Sequence, residues 1–362
     1  MTARLRRQVG QLIVSGFLGT SVPVELRALA REFGLGGAIL FARNIEAPLQ
    51  VAEIAYDVRQ LADEVPPWVS IDQEGGRVQR LRTPCTEWPP LSTLGRSGDS
   101  RLTERFARAL ARELRVVGIT LDYAPVLDVD SNPTNPVIGD RAISDDPERA
   151  ATLGSVIIRT LQSEGIAACG KHFPGHGDAS VDSHQDLPVV SHDLARLRGV
   201  EFVPFRAAIA ADVAAIMVAH VSYLELDEEM LATLSSRVVT GVLRRELGFN
   251  GLIVTDDMDM GAIANYYDAV DASVKAVAAG CDMLLLCGAD PAGQVEIIEG
   301  LIHALEEGSL PEQRVEDALS RQRYAKERFA VADWRPPTIR ELQQCLGCPE
   351  HQEIAEAMRR EL

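Results

Sequence analysis

Eight short, β-branched apolar runs recur along the chain, each separated from the next by a longer amphipathic stretch, and this rhythm limits the fold more than any other feature. The runs fall at 12–14, 37–41, 68–72, 119–129, 166–171, 215–220, 252–256 and 283–287. Between them the spacing predicts helices near 22–34, 47–64, 101–116, 147–164, 199–211, 236–247, 268–279 and 292–307, the fourth opened by Asp146-Pro147 as N-cap and first-turn residue. Eight β/α units in a row favour a closed parallel barrel over an open doubly wound sheet. The expected fold is α/β, a single (β/α)8 TIM-type barrel over residues 1–335 with one more helix at 311–330. An irregular tail, 336–362, follows and can pack on the barrel.

Polar residues close several of the runs: Asp72, Asp128 with Asp130, Lys171 with His172, His220, and Asp256 with Asp257. A single polar strand end needs no explanation, because strands turn polar as they reach water. In a parallel barrel, however, all these ends share one rim, so residues far apart in sequence converge on one pocket. The densest group is the segment KHFPGHGD at 171–178 continued by Val181-Asp182-Ser183-His184, which holds three histidines, a lysine and two aspartates. Its glycines and proline break any helix, so it reads as a loop carrying ionisable groups.

Two chemistries suit these residues. A carboxylate at Asp256 can attack an electrophilic carbon or stabilise a cation, although strand alternation alone does not decide whether Asp256 or Asp257 faces the pocket. Asp182, two residues before His184, can orient the imidazole and raise its proton affinity, giving an acid and base near neutrality. A metal is the rival use of His172, His176 and His184, but their spacing is not that of a helical HExxH pair and glycines flank His176. Cys345 and Cys348 with His351 offer only three ligands in a polar segment, so no metal is expected. Cys287-Gly288-Ala289-Asp290 is too thin for a phosphate loop.

A net charge of −17 over 362 residues, with no basic stripe, argues against nucleic-acid binding. No run is long enough to span a membrane. Arg4, Arg6 and Arg7 ahead of residues 9–18 imitate a short signal peptide, but Gly10, Gln11, Ser15, Gly16 and Gly19 interrupt the run and Ser21-Val22-Pro23 is a poor cleavage site. Six cysteines do not make a disulfide framework in a chain of this length, and Cys169, Cys281 and Cys287 sit in or beside apolar runs. The expectation is a cytoplasmic monomer.

Four motifs occur in order across residues 70–290: IDQEGGRVQR at 71–80, GDR at 139–141, KHFPGHGD at 171–178 with DSH at 182–184, and GLIVTDDM at 251–258. In these the chain resembles glycoside hydrolase family 3 and, within it, the single-domain β-N-acetylglucosaminidases. The resemblance implies a retaining glycosidase that needs no cofactor and removes terminal β-linked N-acetylglucosamine from a carbohydrate, peptidoglycan fragments in particular. It implies Asp256 as nucleophile, His184 paired with Asp182 as acid and base, and Asp72, Arg80, Arg141, Lys171 and His172 as holders of the sugar hydroxyls and N-acetyl group. Glu74 and Arg77 would fix the loop around Gly75-Gly76. The loop 173–187 would carry the acid/base by itself and move as a lid on Gly175 and Gly177. A neutral histidine base does not repel an anionic acceptor, which leaves a phosphorylase as the enzymatic alternative. An inactive sugar-binding barrel is the non-enzymatic one, and the presence of Asp256 with Asp182 and His184 argues against it.

Overall fold

The computed structural model describes residues 2–62, 65–179, 181–183, 185–288, 290–330 and 334–362. Eight parallel strands close into one barrel: β1 (Ile13–Ser15), β2 (Gly37–Leu40), β3 (Trp68–Ile71), β4 (Leu121–Asp122), β5 (Ala167–Phe173), β7 (Ala215–Val218), β9 (Leu252–Asp257) and β10 (Met283–Leu286), with β10 pairing back to β1. Two further short strands, β6 (Val189–Val190) and β8 (Ser222–Tyr223), form a separate parallel ribbon outside the barrel.

Alternation along each strand divides the core in two. Val14, Ile39, Trp68, Leu121, Ala167, Cys169, Met217, Val254 and Leu285 point into the barrel, whereas Ile13, Leu40, Val69, Ile71, Ala168, Ile216, Ile253 and Leu284 pack outward against helices. Both faces are buried, which is why these strands read as continuous apolar runs. Ala325 and Phe329, from helix Glu312–Phe329, join the inner cluster and plug the barrel at the starts of the strands. Asp282 ties that helix down through Arg314 and Arg321, and it also pairs with Arg244. The opposite, C-terminal mouth is left for the site.

The fourth strand is much shorter than the apolar run 119–129, because Pro125 has no N–H to donate to a ladder. The chain rejoins the sheet through a single bridge between Val126 and Lys171. The tail is not irregular: helices Ile339–Cys345 and Pro349–Arg359 bury Leu342, Leu346, Ile354, Ala355 and Met358. Their signals are local, a Thr338–Glu341 capping box and Pro349 at the first helical turn. His351 places Nδ1 2.8 Å from Glu113, fastening the tail to helix Ser100–Val116. No helix among the described residues is long and apolar enough to cross a membrane.

Candidate active site

Two irregularities of register build the mouth. Between Gly170 and Phe173, β5 carries one more residue than β7 opposite it, and between Val254 and Asp257, β9 carries one more than β10. An extra residue breaks the strict alternation of faces. As a result the adjacent residues Lys171 and His172 both line one cavity, as do the adjacent residues Asp256 and Asp257. The cavity has a volume of about 160 Å³, and Asp72, Glu74, Arg80, Arg141, His176 and Ser183 complete its polar wall. A larger groove of about 790 Å³ between helices Val24–Phe33 and Pro291–Glu307 is mainly apolar and holds none of these residues.

The charged groups are interlocked. Lys171 Nζ lies 2.8 Å from Asp72 Oδ1 and 2.6 Å from Glu74 Oε1. Asp72 also meets Arg80 Nη2 at 3.3 Å, and the Arg80 guanidinium lies 5.4 Å from the centre of the Phe41 ring. Arg141 donates Nε and Nη2 to Glu74 at 2.9 and 2.8 Å, and Nη1 to the Val137 carbonyl. Burial alone would raise the Glu74 carboxyl, but the charges of Arg141 and Lys171 hold it well below the usual range. Burial likewise works against the Lys171 ammonium, and Asp72 and Glu74 overcome it and raise its proton affinity. Glu74 is therefore not the loop-fixing residue that the motif suggests. Gln79 and Gln73 do that work, Gln79 Nε2 donating to the Gly76 carbonyl at 2.9 Å and Gln73 Oε1 accepting the Arg80 and Leu81 N–H groups at 2.8 and 3.0 Å. Arg77 is half-exposed and reaches the Val137 carbonyl and Asp140.

His172 is set by a residue that the motifs do not include. Its Nδ1 is 2.6 Å from Asp128 Oδ2, while Asp128 Oδ1 accepts the backbone N–H of His172 and of His176. Burial works to raise the Asp128 carboxyl, but the two histidines outweigh it and the net shift is downward. An ionised partner at Nδ1 fixes the tautomer and turns Nε2 to the cavity. His220, expected on the rim, is instead fully buried between Thr233 Oγ1 at 2.8 Å and the Asp257 carbonyl at 3.0 Å. It braces the end of β9 and does not line the cavity.

The two acids ending β9 differ in their surroundings. Asp257 Oδ1 accepts the N–H groups of Cys287 and Asp259, at 3.0 and 3.2 Å, which ties it to the barrel wall. Burial pushes its carboxyl up to about 6. Asp256 accepts the Asp257 N–H at 2.8 Å and lines the cavity.

The loop after β5 also departs from a hinged lid near its start. A Cβ on Gly177 would lie 1.7 Å from the Val129 carbonyl oxygen, and the His176 and Gly177 carbonyls both accept Asn135 Nδ2. Gly177 thus serves a close backbone approach, not a swing. Ser183 is buried, with Oγ 2.9 Å from His176 Nε2, and Asp182 beside it is partly exposed. His184 lies outside the described residues.

The chain matches the glycosyl hydrolase family 3 N-terminal domain over residues 4–323. It is 41% identical over 270 residues to a beta-hexosaminidase of Pseudomonas aeruginosa, covering 74% of this chain and 80% of that one. It is 35% identical over 328 residues to beta-hexosaminidase A of Pseudoalteromonas piscicida, where it spans 83% of this chain but only 55% of the relative's length. The solved structure of a glycoside hydrolase family 3 beta-N-acetylglucosaminidase from Paenibacillus sp. str. FPU-7 superposes with a TM-score of 0.95 at 40% identity, over 100% of this chain and 69% of that one. A matching domain over most of the chain, joined to a closed barrel with its charged cavity at the C-terminal mouth, makes this chain a member of glycoside hydrolase family 3.

Proposed function

We propose that the protein is a retaining exo-β-N-acetylglucosaminidase in which Asp256 forms the glycosyl-enzyme and His184, supported by Asp182, is the acid and then the base. The observation that carries this reading is the wall shared by Asp72, Lys171 and Arg80, which lines the same cavity as Asp256. A sugar presents neighbouring hydroxyls that each donate and accept. A carboxylate flanked by an ammonium and a guanidinium answers both needs side by side. His172 Nε2 adds a further polar contact, and Arg141 orders the wall through Glu74. Asp256 lines the cavity and is the residue that the GLIVTDDM motif matches to the nucleophile, whereas Asp257 is tied to the barrel wall through the Cys287 and Asp259 N–H groups. The relatives named beta-hexosaminidase and beta-N-acetylglucosaminidase support N-acetylglucosamine as the sugar.

In this mechanism His184 protonates the departing oxygen as Asp256 attacks the anomeric carbon, and then takes a proton from the water that releases the sugar. Peptidoglycan fragments bearing N-acetylglucosamine on anhydro-N-acetylmuramic acid are the substrates we favour, acted on in the cytoplasm by a monomer. Trapping with a 5-fluoro glycosyl donor of the N-acetylglucosamine series, followed by peptide mapping, tests the core of the reading. Label on Asp256, and loss of turnover in a folded Asp256→Ala protein, is the expected result. A label on Asp257, or none within 251–258, overturns it. Products formed from cell-wall digests with and without inorganic phosphate separate hydrolysis from phosphorolysis.

A further inference from the structure

The turn that carries Asp182 is held by the loop that follows the strand of Asp256. Residues 181–183 and 185–187 lie at the apex of a long excursion from β5, where the Gln185 and Asp186 N–H groups donate to the Asp182 carbonyl at 2.9 and 3.0 Å. The feet of the excursion are fastened to their own neighbourhood. Asn135 takes the His176 and Gly177 carbonyls, Tyr223 OH donates to the Gly175 carbonyl, His192 pairs with Asp178, and β6 pairs with β8. The apex instead reaches across to residues 262–266. Ala262 N–H donates to the Ser183 carbonyl at 3.1 Å, Asn265 Nδ2 donates to the Gln185 carbonyl at 3.0 Å, and Tyr266 OH donates to Asp186 Oδ1. Tyr266 is 55% exposed, so this contact does not serve core packing. These three contacts join two loops whose strands, β5 and β9, are separated in the barrel by β7.

We infer that Asn265 and Tyr266 are positioning residues, which set the acid/base turn at its working distance from Asp256 by clamping Gln185 and Asp186. The inference rests on the reading of Asp256 and of Asp182 with His184 given above. Held apart from the nucleophile, a general acid loses its grip on the leaving group while the sugar pocket stays intact.

The test compares Tyr266→Phe, Asn265→Ala and the double variant with the parent protein on a nitrophenyl N-acetylglucosaminide and on an unactivated disaccharide. Each single variant is expected to lower kcat on the disaccharide by roughly threefold to tenfold, the effect of one lost hydrogen bond. Glycosylation by the nitrophenyl substrate, and KM for both, should change by less than about twofold on the same scale. Hydrogen exchange of the 181–187 peptide should quicken in the double variant while the barrel strands keep their protection. Equal effects on both substrates, or an unchanged disaccharide rate in the double variant, overturn the inference. Asp256→Ala and His184→Ala run alongside: if they leave turnover intact, the underlying assignment has failed, whereas inactive controls with an unaffected double variant mean the clamp alone has failed.

Discussion

Glu74 grips Arg141 with both carboxylate oxygens, 2.9 Å from Nε and 2.8 Å from Nη2, across 67 residues of sequence. The pair is almost fully buried, and Lys171 closes on the same carboxylate. This places Glu74 in the cavity wall, where its charge keeps two cations ordered.

Removing that charge leaves cations buried without their full complement, a change that costs about 3–5 kcal/mol in comparable buried pairs. Glu74→Gln is therefore expected to lower stability by about 3 kcal/mol or more at neutral pH. The Glu74 carboxyl is held below its unfolded value, so the stability it supplies is present above the ordinary carboxylate range and is lost as pH falls through the folded value. Urea unfolding of parent and variant should then differ most at neutral pH and converge in acid. A constant difference from neutral to acid pH would show that the loss is one of packing and not of charge.

Asp257 should show the opposite sign. Its folded carboxyl is pushed up to about 6 by burial, from an unfolded value of about 4. The folded state then holds the proton longer, and the stability contributed by this group is full below about pH 4 and is lost as pH rises to about 6. Asp257→Asn removes that loss while keeping an oxygen that can accept the Cys287 N–H. The variant should gain on the parent protein above pH 6, with the two curves drawing together below pH 4, as read by thermal unfolding across that range. A variant that loses ground steadily as pH rises would overturn the assignment of a raised carboxyl.

The barrel was legible because each of its strands is buried on both faces and each helix on one, so the pattern of apolar runs maps directly onto layers. Even the tail helices had signals in Thr338, Glu341 and Pro349 that a polar composition obscured. The cavity was legible only in part of its membership, since Asp182 is not among its lining residues and His184 lies outside the described residues. Asp72, Arg80, Arg141, Lys171, His172 and Asp256 all line it. What local pattern cannot carry is the pair of register irregularities that bring Lys171 with His172, and Asp256 with Asp257, to the same face. Glu74 was misread for a related reason: its neighbours in sequence are glycines, and its partners are 67 and 97 residues away. Asp128 stood in the sequence only as one polar strand end among several, because its hold on His172 and His176 spans 44 and 48 residues.

The acid/base assignment can be separated from a merely supporting role by the leaving group. Protonation matters little when the departing group is already a good one, so His184→Ala should slow a natural disaccharide far more than a nitrophenyl glycoside in the glycosylation step. In the second step the same variant lacks a base to activate water. Azide needs none, and adding it should speed breakdown of the glycosyl-enzyme in the variant and yield a glycosyl azide. Asp182→Asn should show a milder loss with a shifted pH profile, because the ring keeps a hydrogen-bonding neighbour but loses the charge that favours its protonated form. If His184→Ala slows every leaving group equally and azide changes nothing, the histidine only positions substrate. The acid would then have to be sought among the other groups of the mouth, of which Glu74, held ionised by Arg141 and Lys171, is not suited to give up a proton, so Asp178 would be the first to test.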